Sequence, residues 1–134
     1  MTNATTRRRA GVSGVIALAW SLASASGAAA FEGRYVGGVK SKATKEYSQS
    51  LDIKRRANGD FRVEAVVGTP DCTGVFDGVG AVVGDALAAT QKEDNETCTL
   101  TIRRTKKGVS VEEDSRCLYF HGASCEFSGD YRKK

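Results

Sequence analysis

The sequence predicts an all-β fold: a small closed or nearly closed antiparallel up-and-down barrel of about eight strands, held by two disulfides and preceded by a signal peptide. Three observations carry this expectation. Beyond residue 30, apolar and polar residues alternate with a period of two, and no apolar stripe of helical period is present. Glycine-containing turn signals interrupt these runs at short intervals, and Pro70 is the only proline. Finally, this region begins Phe31-Glu32-Gly33-Arg34-Tyr35 and finishes Phe127-Ser128-Gly129-Asp130-Tyr131, so one F-x-G-x-Y pattern stands at both ends.

Residues 1–30 read as a cleaved export signal. Arg7, Arg8 and Arg9 supply the positive start, residues 11–22 a short apolar centre, and Ala28-Ala29-Ala30 the small residues of a cleavage site. The apolar centre falls short of the roughly 20 residues a spanning helix needs. No cysteine near the cleavage site offers a lipid attachment point. Residues 31–134 are then a single domain. The signal holds three of the 20 Lys and Arg and none of the 16 Asp and Glu, which leaves 17 basic against 16 acidic residues, a charge of +1. The basic character of the precursor therefore comes largely from the signal and does not point to a nucleic-acid or anionic-membrane partner. Three local basic clusters remain, Lys54-Arg55-Arg56, Arg103-Arg104 with Lys106-Lys107, and Arg132-Lys133-Lys134. Each reads as a solvated strand end.

The first clear hairpin joins Tyr47, Gln49, Leu51 and Ile53 to Phe61, Val63, Ala65 and Val67. A three-residue loop, Ala57-Asn58-Gly59 with Gly59 left-handed, pairs Arg56 with Asp60 and sets Ile53 opposite Val63 and Leu51 opposite Ala65. A shift by one residue would oppose Ile53 with Glu64 and separate the apolar faces. A second unit runs over residues 75–83, turns at Gly84-Asp85 and returns over residues 86–90, and Gly78 and Gly80 suggest a bulge or sharp bend within it. Residues 91–96 read as a polar loop. A third hairpin carries Cys98, Leu100 and Ile102 outward and Val109 and Val111 back, around Lys106-Lys107-Gly108. The terminal F-x-G-x-Y segments present matching large-small-large faces. Pairing them would close the sheet and remove its exposed edges.

Cys72, Cys98, Cys117 and Cys125 are an even number in an oxidising compartment, which favours two disulfides. Of the three possible pairings, the preferred one links Cys117 to Cys125 across a tight loop and leaves Cys72 for Cys98. A metal site using these thiols and His121, the single histidine, is the competing reading, but its spacing is unfamiliar for zinc. His121 with Ser124 or Ser128 and Asp130 could also be imagined as a hydrolytic set, although no nucleophile-elbow sequence is present. The carboxylates fall mainly in turns and single out no glycosidase pair. Glu93-Asp94-Asn95-Glu96 lacks the spacing of a calcium loop. No glycine-rich loop opens a helix to cradle phosphate. No cofactor is expected.

The segment C-L-Y-F-H-G-A-S-C-E-F-S-G-D-Y, Cys117 to Tyr131, resembles the ending of small exported bacterial proteins, mostly uncharacterised, that close with C-x-x-(F/Y)-H-G-A-x-C-x-F-x-G-x-Y. The match covers fifteen residues. In architecture and compartment alone the chain is similar to periplasmic lysozyme inhibitors, also small disulfide-bonded β-barrels. The expected function is a non-enzymatic periplasmic or secreted binding module, an inhibitor of a hydrolase such as lysozyme being one form of it. Residues 41–46, 68–74 and 120–124 are the candidate loops, with Phe120, His121 and Ser124 as contact residues. The partner is expected to be another protein, a hydrolase or a cell-envelope component, and the mature chain a monomer without a membrane span. One alternative is a carrier of a small apolar ligand, with Phe61, Phe76, Phe127 and Tyr131 lining the interior. The other is a hydrolase using His121.

Overall fold

A computed structural model describes residues 30–38 and 47–134, together with Gly11. The expected export signal, apart from Gly11 and Ala30, and the candidate loop at residues 41–46 lie outside the described residues. The described chain forms eight antiparallel strands: β1 (Gly33–Gly37), β2 (Ser48–Arg55), β3 (Phe61–Thr69), β4 (Cys72–Val83), β5 (Ala86–Glu93), β6 (Glu96–Arg104), β7 (Gly108–Glu113) and β8 (Gly129–Lys133). They follow one another around a closed barrel in chain order. No helix among the described residues is long and apolar enough to cross a membrane.

Alternation produces the core. Along β3 the inward Phe61, Val63, Ala65 and Val67 are buried, and on β6 Cys98, Leu100 and Ile102 do the same. The β2–β3 register places Ile53 opposite Val63 and Leu51 opposite Ala65. The Arg56 N–H donates to the Asp60 carbonyl at 2.8 Å, and Gly59 has φ +91°. Gly84-Asp85 likewise makes the expected two-residue turn, with Val83 paired to Ala86. Residues 91–96 are not the loop that their polarity suggests. β5 and β6 stay paired out to Glu93 and Glu96, and the turn is only Asp94-Asn95, both with positive φ. Asp and Asn tolerate that conformation well, so the pair forms a tight hairpin turn that lengthens both strands.

The ends of the sheet meet: Tyr35 pairs with Lys133 and Val36 with Arg132, which closes the ring. The two F-x-G-x-Y segments are neighbours, although they do not lie motif against motif. Instead each folds in the same way. Gly33 and Gly129 take φ +148° and +151°, a region open to glycine, and turn the preceding Phe inward. Each Tyr hydroxyl then donates to the carbonyl of its own Phe, Tyr35 to Phe31 at 2.8 Å and Tyr131 to Phe127 at 2.7 Å. Because β1 and β8 run antiparallel, Phe31 plugs one mouth of the barrel and Phe127 the other, and both rings are buried. Phe61, Phe76, Phe127 and Tyr131 fill the interior as expected of inward residues.

β4 and β5 separate beyond Val79 and Thr90. A Cβ at Gly78 would meet the Thr90 carbonyl at 2.6 Å, which accounts for glycine at this bend. Past the bend, β4 would expose an unpaired edge. The Gln91 side chain accepts from the Asp77 N–H at 3.0 Å, and Gly74 forms a bridge with His121. Thus the segment between β7 and β8 completes the wall as well as covering the mouth.

Candidate functional site

In an up-and-down barrel alternate connections lie at the same end. One end gathers the β1–β2, β3–β4, β5–β6 and β7–β8 connections, and the last of these is a long crossing over the mouth. It opens with a 3-10 helix, Ser115–Phe120, capped by Asp114, whose side chain accepts the Arg116 N–H at 3.1 Å. The residues that sequence singled out for chemistry, Phe120, His121 and Ser124, all lie on this crossing.

The disulfides fasten it at two points, Cys98 to Cys117 and Cys72 to Cys125. This corrects the expected pairing of Cys117 with Cys125. The intervening residues do not form a tight hairpin: the 3-10 helix turns Cys117 down onto β6, and the chain then crosses to bring Cys125 to the start of β4. All four cysteines are consumed, so no thiolate is left to bind a metal. Among the described residues no cluster of three His, Cys, Asp or Glu could hold one either.

Phe120 is 9 % exposed, and the His121 side chain only 4 %. His121 Nε2 lies 3.0 Å from each oxygen of Glu113, and Nδ1 lies 2.7 Å from the Gly122 carbonyl. Both ring nitrogens are therefore engaged by neighbouring oxygens. Glu113 also accepts the Phe127 N–H at 3.3 Å, and the Phe127 ring stands edge-on to His121 at 5.2 Å between centroids. The pair is the bracket that seats the Phe127 plug. The structure does not bring Asp130 to His121, because the carboxylate partner is Glu113. Nor is Ser128 free, since its hydroxyl accepts the Glu113 N–H at 3.0 Å. Ser124 is exposed on the crossing.

Comparison with protein-family models, curated proteins and solved structures found no match. The functional reading therefore rests on the site itself.

Two contributors escaped sequence reasoning. Glu113 ends a strand, and nothing local marks it as the partner of a histidine eight residues away. Gln49 had a visible signal, a polar residue within an otherwise apolar row. It is 5 % exposed and donates from Nε2 to the Glu126 and Ser128 carbonyls at 2.9 and 3.0 Å, which fastens the end of the crossing to β2. The surface of the capped end carries two exposed apolar residues of the 3-10 helix, Leu118 at 57 % and Tyr119 at 53 %. The Tyr119 hydroxyl donates to Asp94 at 3.1 Å, and this bond raises the Tyr119 pKa. Asp71, Glu93 and Glu126 are exposed at the same end, as are the basic Lys92 and Arg116.

Proposed function

We propose that the chain is an exported, non-enzymatic binding module that presents its capped end to another protein, and that it acts as an inhibitor of a cationic hydrolase such as a lysozyme. The observation that carries this reading is the exposed Leu118–Tyr119 pair on a crossing fastened by two disulfides, beside an acidic rim. Rigid apolar anchors with a charged surround are what a protein interface needs: the anchors supply affinity and the rim steers a partner of opposite charge. The contact role expected of Phe120 and His121 passes to their exposed neighbours, because those two side chains face inward. The disulfides are consistent with an oxidising compartment, and periplasmic or secreted export completes the reading. The interior supports the outer surface as the working part, since large side chains occupy the space a carrier would keep for its ligand.

The test is titration of lysozymes and common proteases with the protein. Stoichiometric inhibition that weakens with salt is expected, and Tyr119→Ala should raise the inhibition constant about 30-fold, the effect of losing an interface anchor. Unchanged activity of every enzyme at large molar excess would remove the inhibitor reading.

A further inference from the structure

The opposite end of the barrel gathers the β2–β3, β4–β5 and β6–β7 connections and the C-terminus. This brings together the three basic clusters that lie far apart in sequence. Arg55, Arg104, Lys106, Lys107, Arg132 and Lys133 stand there with no carboxylate at ion-pair distance among the described residues, whereas Arg56 is paired with Asp60, Lys54 lies 3.9 Å from Asp52 and Arg103 lies 3.9 Å from Glu112. The near-neutral charge of residues 31–134 hides this segregation. The other carboxylates around this end are Glu32, which accepts the Arg55 backbone N–H at 2.7 Å, Asp85 at the β4–β5 turn, Asp52 beside Arg34 and Lys54, and Asp130.

The cations are held in place by backbone. The Lys133 N–H donates to the Lys107 carbonyl at 2.9 Å and the Lys134 N–H to the Arg34 carbonyl at 2.8 Å, so the C-terminus is zipped between β1 and the β6–β7 turn. The Arg104 guanidinium lies 5.9 Å from the centre of the Phe31 ring. Grooves of about 500 and 540 Å³ flank Lys106-Lys107, one edged by Arg104 and Lys133, the other by Arg132 with Asp130 as its single carboxylate.

An apolar tip lies among these charges. β3 pairs with β4 only as far as Phe61 opposite Gly80, so the β4–β5 hairpin projects beyond its neighbour. Its tip exposes Val82 at 41 % and Val83 at 66 %, and Ala86, opposite Val83 at that tip, pairs with Arg103. A nucleic acid would neutralise the cations but leave the valines in water, and Phe31 and Phe61 are buried and offer bases no stacking platform. An acidic, apolar-cored boundary satisfies both features.

The structure assigns this end as a docking face for an anionic phospholipid bilayer, with the lysines and arginines on headgroup phosphates and the Val82–Val83 tip in the interface. This face is independent of the capped end and leaves that end directed away from the bilayer.

Co-sedimentation of the protein with phosphatidylglycerol-containing vesicles tests it, against vesicles of phosphatidylcholine alone. Binding to the anionic vesicles is expected. Lys106→Gln with Lys107→Gln should weaken it roughly 30-fold, the equivalent of about 2 kcal/mol at about 1 kcal/mol per lysine near an anionic surface. Lys92→Glu, the same change in net charge on a strand leading to the other end, should leave it within about twofold. Val83→Ser should weaken binding several-fold without altering the thermal midpoint. Equal binding to both vesicle types, equal losses in the Lys92 and Lys106/Lys107 variants, or indifference to Val83→Ser would overturn the assignment. Binding to duplex DNA in place of vesicles, with loss in the Lys106/Lys107 variant, would also overturn it.

Discussion

The two mouths of this barrel are stopped by the same device and finished in opposite ways. At each, a Phe turned inward by glycine plugs the opening while a Tyr two residues beyond the glycine holds the Phe carbonyl. Over Phe127 the chain adds a covered crossing, two disulfides, the His121–Glu113 bracket and the Gln49 clamp. Over Phe31, among the described residues, it adds turns, the end of β8 zipped by backbone bonds, and a rim of cations. Closing a barrel thus requires little beyond the plug itself. The extra fastenings tie down one particular surface, whereas the described residues of the other end carry a rim of cations.

The largest effect that would sharpen this contrast comes from the covalent fastening. The Cys72–Cys125 bond closes a separation of 53 residues and Cys98–Cys117 one of 19. On chain-entropy grounds these correspond to about 4 and about 3 kcal/mol of stability. Cys72→Ala with Cys125→Ala should therefore lower the unfolding free energy by about 4 kcal/mol in urea titration. Hydrogen exchange should rise first over the crossing and the start of β4, while the β2–β3 hairpin keeps its relative protection. Uniform loss of protection around the barrel would erase the distinction between the ends.

A matched pair of glycine substitutions probes the same contrast with less force. A Cβ at Gly74 would collide with Cβ of His121 and crowd Val67, both fixed in the capped end. Gly74→Ala should cost about 3 kcal/mol, as overpacking of a constrained site does. At Gly59, in the β2–β3 turn of the other end, a Cβ meets nothing within 4 Å, and the only penalty is the left-handed backbone at φ +91°. Gly59→Ala should cost about 1 kcal/mol. Thermal or urea unfolding of the two variants measures the difference directly, and equal costs would show that the cap yields as readily as a solvated turn.

How much of this was legible depended on the range of the forces involved. The β2–β3 hairpin was readable because register, turn and both apolar faces are specified within twenty residues, and a one-residue slip has a visible penalty at Glu64. The even cysteine count announced two disulfides. Their partners were not readable, because pairing depends on where the crossing carries Cys117 and Cys125, and polar residues 114–116 give little sign of the 3-10 turn that decides it. Polarity misled at residues 91–96, where the turn chemistry of Asp94-Asn95 outweighs a run of charged side chains on a solvated hairpin. His121 drew attention as the single histidine, yet its meaning lies in Glu113, which topology brings beside it. The three basic clusters each read correctly as strand ends. Only the up-and-down order reveals that they are the same end.

The two plug tyrosines offer the finest comparison. Both hydroxyls are buried and their pKa values are raised above the ordinary 10.0, chiefly because burial disfavours the phenolate. Tyr131 is raised much further. Glu113 and Glu126 at the capped end add to its shift, while Arg104 at the open end pulls that of Tyr35 back. A tyrosine that holds its proton more tightly when folded contributes its full stability below the unfolded value and loses it as pH rises through the folded one. Unfolding free energy should therefore fall as pH climbs above about 10, with Tyr131 responsible for more of the slope than Tyr35. At neutral pH, Tyr131→Phe and Tyr35→Phe should each cost about 1 kcal/mol, the net worth of one hydrogen bond to the Phe carbonyl. In alkali they should diverge, with Tyr131→Phe flattening the decline and Tyr35→Phe leaving most of it. Urea titrations of both variants across this range, read beside the phenolate absorbance, make the comparison. Coincident slopes would mean that the charges around the two mouths do not reach the plugs they surround.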